Sequence, residues 1–167
     1  MTSIAIVSDT HVPSRAPSVP EWVADRLAAA DHVVHAGDFD SPAAFERVRE
    51  LAGGAERLTA VRGNADPRSL DLPRVATVER GGVTLVVTHG DGTPHDYRER
   101  VAARVRSHGG PDAVGVCGHT HERMDERADG VRLLNPGSAT GVRPAREASM
   151  FLATADDGAL DVSVHRR

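Results

Sequence analysis

Over the first 64 residues, short apolar runs alternate with stretches in which apolar residues recur at helical spacing. The runs predict buried strands at 3–8, 31–35 and 58–61. One predicted helix begins at Pro20-Glu21 and continues to Ala30, and another begins at Ser41-Pro42 and is stopped by Gly53-Gly54. Proline near the first helical position and glycine after the last are typical boundaries. This β-α-β-α-β order favours a parallel sheet with helical crossovers.

After residue 64 the pattern becomes rich in strands. One stretch, 96–107, has the composition of a helix. Gly-Gly or Asp-Gly pairs between apolar runs predict hairpin turns at 81–82, 129–130 and 157–158. No linker or repeat divides the sequence, so we predict an α/β fold with two sheets in one domain over residues 1–167. The strands of this half are predicted at 75–78, 83–88, 113–117, 131–134, 149–154 and 160–164.

The composition excludes several classes of chemistry. All 20 basic residues are arginine, so the lysines of phosphate-loop NTPases, protein kinases and Schiff-base enzymes are absent. The single cysteine, Cys117, excludes internal disulfides, Cys-x-x-Cys pairs and four-thiolate metal sites. Nine histidines remain. If the protein is an enzyme, imidazoles and carboxylates are therefore the side-chain groups expected to carry out its chemistry.

The charge balance indicates which partners to expect. A formal net charge of −4 and scattered aromatic residues do not favour a general nucleic-acid binder. The first seven residues lack the basic segment and long apolar core of a signal peptide. No stretch approaches the roughly 20 apolar residues of a membrane span. We therefore expect a cytoplasmic protein that binds neither membranes nor nucleic acid in general, and we leave open a homo-oligomer formed through strand edges.

Candidate ligands follow five of the predicted strands, most of them beside a glycine. In an open α/β sheet the crevice outside the carboxyl ends of the strands is the usual ligand site, so we expect these side chains to meet. Asp-x-His and His-x-His place two donors two residues apart, on one side of an extended segment. The seven candidates are Asp9, His11, Asp38, Asn64, His89, His119 and His121.

The seven candidates supply imidazole, carboxylate and amide donors, a mixture that suits Mn, Fe, Zn or Ni better than Ca or Mg. Their number exceeds what one tetrahedral zinc ion takes. If one carboxylate bridges, they provide two ions with four protein ligands each. Asp, Asn and Gly are also common turn residues. Turn propensity does not, however, explain five strand ends with the same chemistry.

The motifs at these strand ends form an ordered series. In chain order they are Asp9-x-His11, Gly37-Asp38, Gly63-Asn64, His89-Gly90 and Gly118-His119-x-His121. The series resembles the calcineurin-like metallophosphoesterase superfamily. The segment Asn135-Pro136-Gly137-Ser138 further resembles its small members, the YfcE-type phosphodiesterases and the small subunit of the retromer sorting complex. The resemblance implies a four-layer α/β/β/α sandwich with two mixed sheets.

The resemblance also implies a phosphoesterase with two divalent metal ions, for which Mn²⁺ is expected and Ni²⁺, Fe²⁺ and Zn²⁺ are alternatives. A hydroxide that bridges the two ions would be the nucleophile, so no protein nucleophile is needed. The expected catalytic residues are Asp38, Asn64 and His89. Carried over by position, one ion would be held by Asp9, His11 and His121, the other by Asn64, His89 and His119, and Asp38 would bridge them.

The expected activity is hydrolysis of a small or nucleotide-type phosphodiester. One alternative is a phosphomonoesterase. Another is a protein-binding scaffold like the retromer small subunit, whose metal-site positions depart from the family pattern. All seven candidate ligands are present in this chain, which favours the enzyme.

Two positions differ from the family pattern. Ala65 stands where many members have a histidine that protonates the leaving oxygen, although YfcE-type members also lack it. The alanine predicts poor hydrolysis of alkyl phosphomonoesters, and His95 is a candidate substitute acid from a loop over the site. Asp91 stands where relatives often have histidine, and it either orients a ligand or holds nothing.

Three further polar residues each have two interpretations. Asp66 either hydrogen-bonds a ligand imidazole or caps the turn before Pro67. Thr10 and Thr120 each lie between two candidate ligands, where the hydroxyl either contacts phosphate or serves the local structure.

Overall fold

Two mixed five-stranded sheets form the centre of this computed structural model, which describes residues 1–167. In spatial order the first sheet contains β10 (Ala159–Arg166), β9 (Ser149–Asp156), β1 (Thr2–Val7), β2 (His32–His35) and β3 (Leu58–Ala60). The second contains β4 (Val75–Arg80), β5 (Val83–Thr88), β6 (Val114–Val116), β8 (Val131–Asn135) and β7 (Met124–Ala128). Neighbours among β1, β2 and β3 run parallel, as do those among β5, β6 and β8, and the other pairs are antiparallel.

Three α-helices connect the strands. They are α1 (Glu21–Ala29), α2 (Pro42–Ala52) and α3 (Tyr97–Gly109), with single 3₁₀ turns at Ala55–Arg57 and Pro94–Asp96. The ends of α2 follow the predicted signals, because the Ser41 hydroxyl accepts a hydrogen bond from the Ala44 N–H at 3.1 Å and Gly53 adopts φ +90°. No helix combines the length and apolar composition that a membrane crossing requires.

The core lies in three layers that define the sandwich. In β1, Ile4 and Ile6 point between the sheets, whereas Ala5 and Val7 point to the opposite face, as strand geometry requires. The outer face of the first sheet packs against α1 and α2, and α3 covers the second sheet. The predicted four-layer α/β/β/α architecture is therefore confirmed.

One strand was not predicted from the sequence. The segment Met124–Ala128 forms β7 at the edge of the second sheet, where it pairs with β8 across the turn at 129–130. Its three central residues are exposed and charged, so it carries no apolar alternation. Charged side chains are typical of edge strands because they oppose pairing with other chains. The other strand ends differ from the predicted ones by a few residues.

A buried histidine connects the two sheets. His32, which is 2% exposed, has its Nε2 2.8 Å from the Thr59 hydroxyl of β3 and its Nδ1 3.2 Å from the Arg80 guanidinium of β4. Because the guanidinium only donates, Nδ1 accepts and Nε2 carries the hydrogen. Burial and the charge of Arg80 lower the pKa of His32 to about 4.

This histidine predicts a loss of stability in acid. Below pH 6.5 the unfolded chain takes up a proton at His32 that the folded protein does not bind until about pH 4. The free energy of unfolding therefore falls as the pH decreases through this window. In urea unfolding, we expect the free energy of unfolding of wild type to fall more steeply with decreasing pH than that of His32→Gln. The difference should amount to up to about 1.4 kcal/mol per pH unit. The exposed His108→Gln is the control, and equal pH dependence in wild type and His32→Gln would contradict the prediction.

Candidate metal centre

The seven predicted ligands lie past the carboxyl ends of β1, β2, β3, β5 and β6, and the fold brings them into one cluster. Five of them have the left-handed backbone conformation, in which residues other than glycine are uncommon. Each such residue costs about 1–3 kcal/mol, and this strain is typical of functional sites. The five are Asp9 (φ +53°), His11 (+47°), Asp38 (+64°), His119 (+73°) and His121 (+59°).

One part of the cluster consists of Asp9, His11 and His121, all of them buried. The Nε2 atoms of the two histidines are 3.2 Å apart, and Asp9 Oδ1 lies 3.3 Å from Nε2 of His121 and 3.7 Å from Nε2 of His11. Asp9 Oδ1 is fully buried and has no hydrogen-bond partner. Its other oxygen, Oδ2, accepts hydrogen bonds from the Ser8 hydroxyl and the His119 backbone N–H. Asp9 therefore presents one free oxygen to the centre.

The second part contains Asn64, His89 and His119. Asn64 Oδ1 lies 3.0 Å from both His89 Nε2 and His119 Nδ1. Asp38 lies between the two parts, because its Oδ2 is 3.2 Å from His89 Nε2 and 3.5 Å from His11 Nε2. Its Oδ1 accepts a hydrogen bond from the Ala65 backbone N–H at 2.8 Å. One oxygen of Asp38 thus lies close to histidines of both parts of the cluster.

Backbone carbonyls determine which histidine nitrogens carry hydrogen. Nδ1 of His121 lies 2.9 Å from the Val142 carbonyl, and Nδ1 of His89 lies 2.7 Å from the Ala36 carbonyl. A carbonyl oxygen only accepts, so both Nδ1 atoms donate, and in the neutral ring both Nε2 atoms hold a lone pair. Each Nε2 atom faces a carboxylate oxygen, so this position favours a positive charge, either a proton on the ring or a bound cation. The cluster therefore fits divalent metal ions with mixed nitrogen and oxygen ligands.

The pKa shifts within the cluster also indicate that it favours positive charge. Burial raises the pKa of Asp9, but the neighbouring His11 and His121 lower it more, to well below its usual range. Burial lowers the pKa of His89, but its contacts with Asp38 and Asp9 raise it to about 9. The carboxylates thus stay charged and attract either a proton or a metal ion to the same place.

Two aspartates outside the ligand set support the cluster, and this role was not recognised from the sequence for Asp40. Asp40 Oδ1 lies 2.8 Å from Nδ1 of His11, which directs the other nitrogen of that ring to the centre, and Asp40 also accepts from the Ser14 hydroxyl. The available signal was its position two residues after Asp38. Asp66 contacts no imidazole, so the first interpretation of it was wrong.

Asp66 instead joins two ligand-bearing loops. Its carboxylate accepts hydrogen bonds from the backbone N–H groups of Asp38, Asp40 and Gly63 at 2.9, 2.9 and 2.8 Å. The loop after β2 is thereby attached to the loop after β3. The bond to Gly63 closes the turn before Pro67, in agreement with the second interpretation.

Removing one carboxylate oxygen tests this connection. An amide at position 66 turns an NH₂ group toward backbone donors, so at least one buried N–H loses its acceptor. We expect Asp66→Asn to lower the free energy of unfolding by about 2–3 kcal/mol and to weaken Mn²⁺ binding about 10- to 100-fold. Urea unfolding and isothermal titration calorimetry measure the two effects. The exposed Asp71→Asn is the control, and wild-type stability of Asp66→Asn would contradict this role.

Two glycines allow the loops to approach each other. A Cβ on Gly63 would collide with the Asp38 carboxylate and backbone, and one on Gly118 would collide with the Ser8 hydroxyl and the Asp9 carboxylate. Neither position therefore tolerates a side chain without displacing a candidate ligand.

The remaining candidates lie around the cluster. Asp91 forms an ion pair with Arg74 at 3.7 Å. His95 lies on the exposed turn Pro94–Asp96 and, like His119, lines a cavity of about 560 Å³ beside the cluster.

The single cysteine, Cys117, is fully buried in the apolar core, and burial raises the pKa of its thiol to about 12.

Comparisons with known proteins agree with this picture. The family described as the calcineurin-like phosphoesterase superfamily domain matches residues 2–158. A probable metallophosphoesterase from Methanocaldococcus jannaschii is 31% identical over 153 residues, which cover 92% of this chain and 76% of the relative. A second protein of that organism, named a phosphodiesterase, is 27% identical over 83% of this chain and 84% of its own length.

Among solved structures, Vps29 from Entamoeba histolytica in complex with zinc is 26% identical and superimposes with a TM-score of 0.77. The match covers 99% of this chain and 98% of that one. This chain therefore has the same fold as that Vps29.

Proposed function

We propose that this chain, which belongs to the calcineurin-like phosphoesterase superfamily, hydrolyses phosphodiesters with two divalent metal ions. The observation that carries the proposal is the convergence of two groups of carboxylate and imidazole donors on a buried Asp9 oxygen that has no hydrogen-bond partner. The similarity to a protein named a phosphodiesterase supports diesters as the substrate class.

The donor atoms divide between two ions. When bound, two divalent ions lower the pKa of a water molecule and offset the negative charge of phosphoryl oxygens. Mn²⁺ is the expected ion, and the mixture of nitrogen and oxygen donors also suits Fe²⁺, Ni²⁺ and Zn²⁺. One ion would be held by Asp9, His11 and His121, the other by Asn64, His89 and His119, with Asp38 as the shared ligand.

The residues of the chain keep the site rigid and limit its negative charge. Asn64 contributes a neutral oxygen, so it does not repel an anionic substrate. The Ala65 N–H orients the Asp38 carboxylate, and the bond from His89 to the Ala36 carbonyl keeps the ring directed to the centre. Fixed donors and acceptors of this kind need no rearrangement during the reaction.

The side chain at position 65 limits the choice of leaving group. Ala65 cannot give a proton to a departing alkoxide, and the loss of a general acid costs about 10²–10⁴-fold. A phenolate is stable enough to leave without that proton. We therefore propose a preference for diesters with good leaving groups over alkyl phosphomonoesters.

A pair of matched substrates tests the proposal. Protein with added Mn²⁺ is assayed with bis(4-nitrophenyl) phosphate and with 4-nitrophenyl phosphate, which share one leaving group. We expect faster hydrolysis of the diester. A higher kcat/KM for the monoester would instead support a phosphomonoesterase, and no hydrolysis of either substrate by metal-loaded protein would contradict both.

A protein-binding scaffold is the second candidate function, because the structural relatives include Vps29. Zinc is bound in that Vps29 structure, so a metal ion alone does not distinguish the two functions. Catalytic silence of the metal-loaded protein, together with stable co-purification of a partner, would favour the scaffold.

A further inference from the structure

Thr120 lies between two of the candidate ligands, His119 and His121, in the loop after β6. Its side chain is half-buried. With His119 and His95, it lines the cavity of about 560 Å³ beside the metal centre. Thr120 therefore lies between the ligand loop and the cavity.

The hydrogen bonds of the Thr120 hydroxyl leave its hydrogen without an acceptor. Its oxygen accepts from Asn135 Nδ2 at 3.0 Å and from the Glu122 backbone N–H at 3.2 Å. A threonine hydroxyl has two acceptor sites and one hydrogen. Both acceptor sites are occupied, and no group of the chain accepts the hydrogen.

Asn135 holds the hydroxyl in this orientation. Its side-chain nitrogen also lies 3.0 Å from the Gly118 carbonyl and 3.2 Å from the Tyr97 hydroxyl, so its two hydrogens are shared among three acceptors. Its oxygen accepts from the Gly137 N–H at 2.9 Å. The Gly118 carbonyl is held in addition by the Tyr97 hydroxyl at 2.6 Å. Because two donors face its lone pairs, the O–H bond of Thr120 is directed away from Asn135 and from the Glu122 N–H.

The equivalent residue on the other ligand loop behaves differently. Thr10 lies between Asp9 and His11, is 2% exposed, and has its hydroxyl 3.1 Å from His35 Nε2. His35 Nδ1 accepts from the Gly37 N–H, so Nε2 donates to Thr10, whose own hydrogen points to the Asp38 carbonyl. The Thr10 hydroxyl therefore has a structural role. Of these two threonines, Thr120 is the one whose hydrogen has no acceptor within the chain.

We propose that the Thr120 hydroxyl donates a hydrogen bond to an oxygen of the substrate's phosphoryl group beside His119. Phosphoryl oxygens are acceptors and carry charge, which matches the unused donor. The inference rests on the proposed phosphodiesterase function, since it names a substrate contact of that site. Thr120 would then bind the substrate without being a ligand of either metal ion.

Inorganic phosphate is the probe that isolates this contact. Isothermal titration calorimetry measures phosphate binding to Mn²⁺-loaded wild type, Thr120→Val and Thr120→Ser, and Mn²⁺ binding to each apoprotein. We expect Thr120→Val to bind phosphate about 10- to 100-fold more weakly, the size of a hydrogen bond to a charged group. Mn²⁺ affinity should stay within about threefold of wild type, and Thr120→Ser should recover phosphate binding.

A variant of the supporting residue separates substrate contact from loop structure. Asn135→Leu keeps the hydroxyl but removes its support, so we expect Mn²⁺ and phosphate binding to weaken together. The same joint loss in Thr120→Val would overturn the inference, as would phosphate binding by Thr120→Val equal to that of wild type. Absence of phosphate binding by the loaded wild type would also overturn it. Absent diester hydrolysis with phosphate binding that still depends on Thr120 would overturn the proposed function alone.

Discussion

Asp38→Asn is expected to lower kcat/KM for bis(4-nitrophenyl) phosphate by at least about 10²–10³-fold in the presence of Mn²⁺. Asp38 Oδ2 is the one carboxylate oxygen within 3.5 Å of histidine nitrogens from both parts of the cluster. The amide keeps the size of the side chain but removes its negative charge, so both proposed ions lose their shared anionic ligand. The effect should therefore exceed that of changing a residue outside the ligand set.

The control for this experiment is a second aspartate-to-asparagine change. Asp161 lies exposed on β10, the strand at the far edge of the first sheet, so Asp161→Asn should retain wild-type activity. Near-normal kcat/KM in Asp38→Asn would contradict the bridging role. Retention of the far-ultraviolet circular dichroism spectrum in both variants confirms that they fold.

Mn²⁺ is expected to raise the melting temperature by about 10–20 °C relative to protein in EDTA. A ligand at one hundred times its Kd stabilises the folded state by about 2.7 kcal/mol, and two independent ions give about twice this. For a chain of this length, 1 kcal/mol corresponds to about 2–4 °C. The physical reason is that the ions bind to the folded protein, in which the donor atoms lie together, and not to the unfolded chain.

Histidine variants show whether this stabilisation comes from the cluster. His121→Ala removes a ligand of one ion only, so about half of the shift should remain. His108 is exposed on α3 and accordingly His108→Ala should keep the full shift. A shift that is absent in wild type, or unchanged in His121→Ala, would contradict the assignment.

The sheet architecture could be predicted because its strands are apolar runs with clear boundaries. Gly53 ends α2 as its position predicts, and the parallel order of β1 to β3 follows from the helices between them. The strand β7 could not be predicted, since its exposed charged residues have no period-2 pattern. Its pairing depends on β8, a tertiary contact.

The candidate ligands could be predicted because their spacing places them at strand ends. Their support could not, since it depends on contacts between distant loops. Asp66 bonds to the backbone of residues 38 and 40, which no local pattern indicates. The two threonines have the same local context, and only the hydrogen bonds made by Asn135 and His35 distinguish them.

The number of metal ions that the chain binds tests the proposed dinuclear site directly. Protein loaded with Mn²⁺ and freed of excess ion is analysed by inductively coupled plasma mass spectrometry. We expect two Mn²⁺ per wild-type chain and one per His121→Ala chain. Saturation of the wild type at one ion or none, with the other expected metals giving the same result, would contradict it.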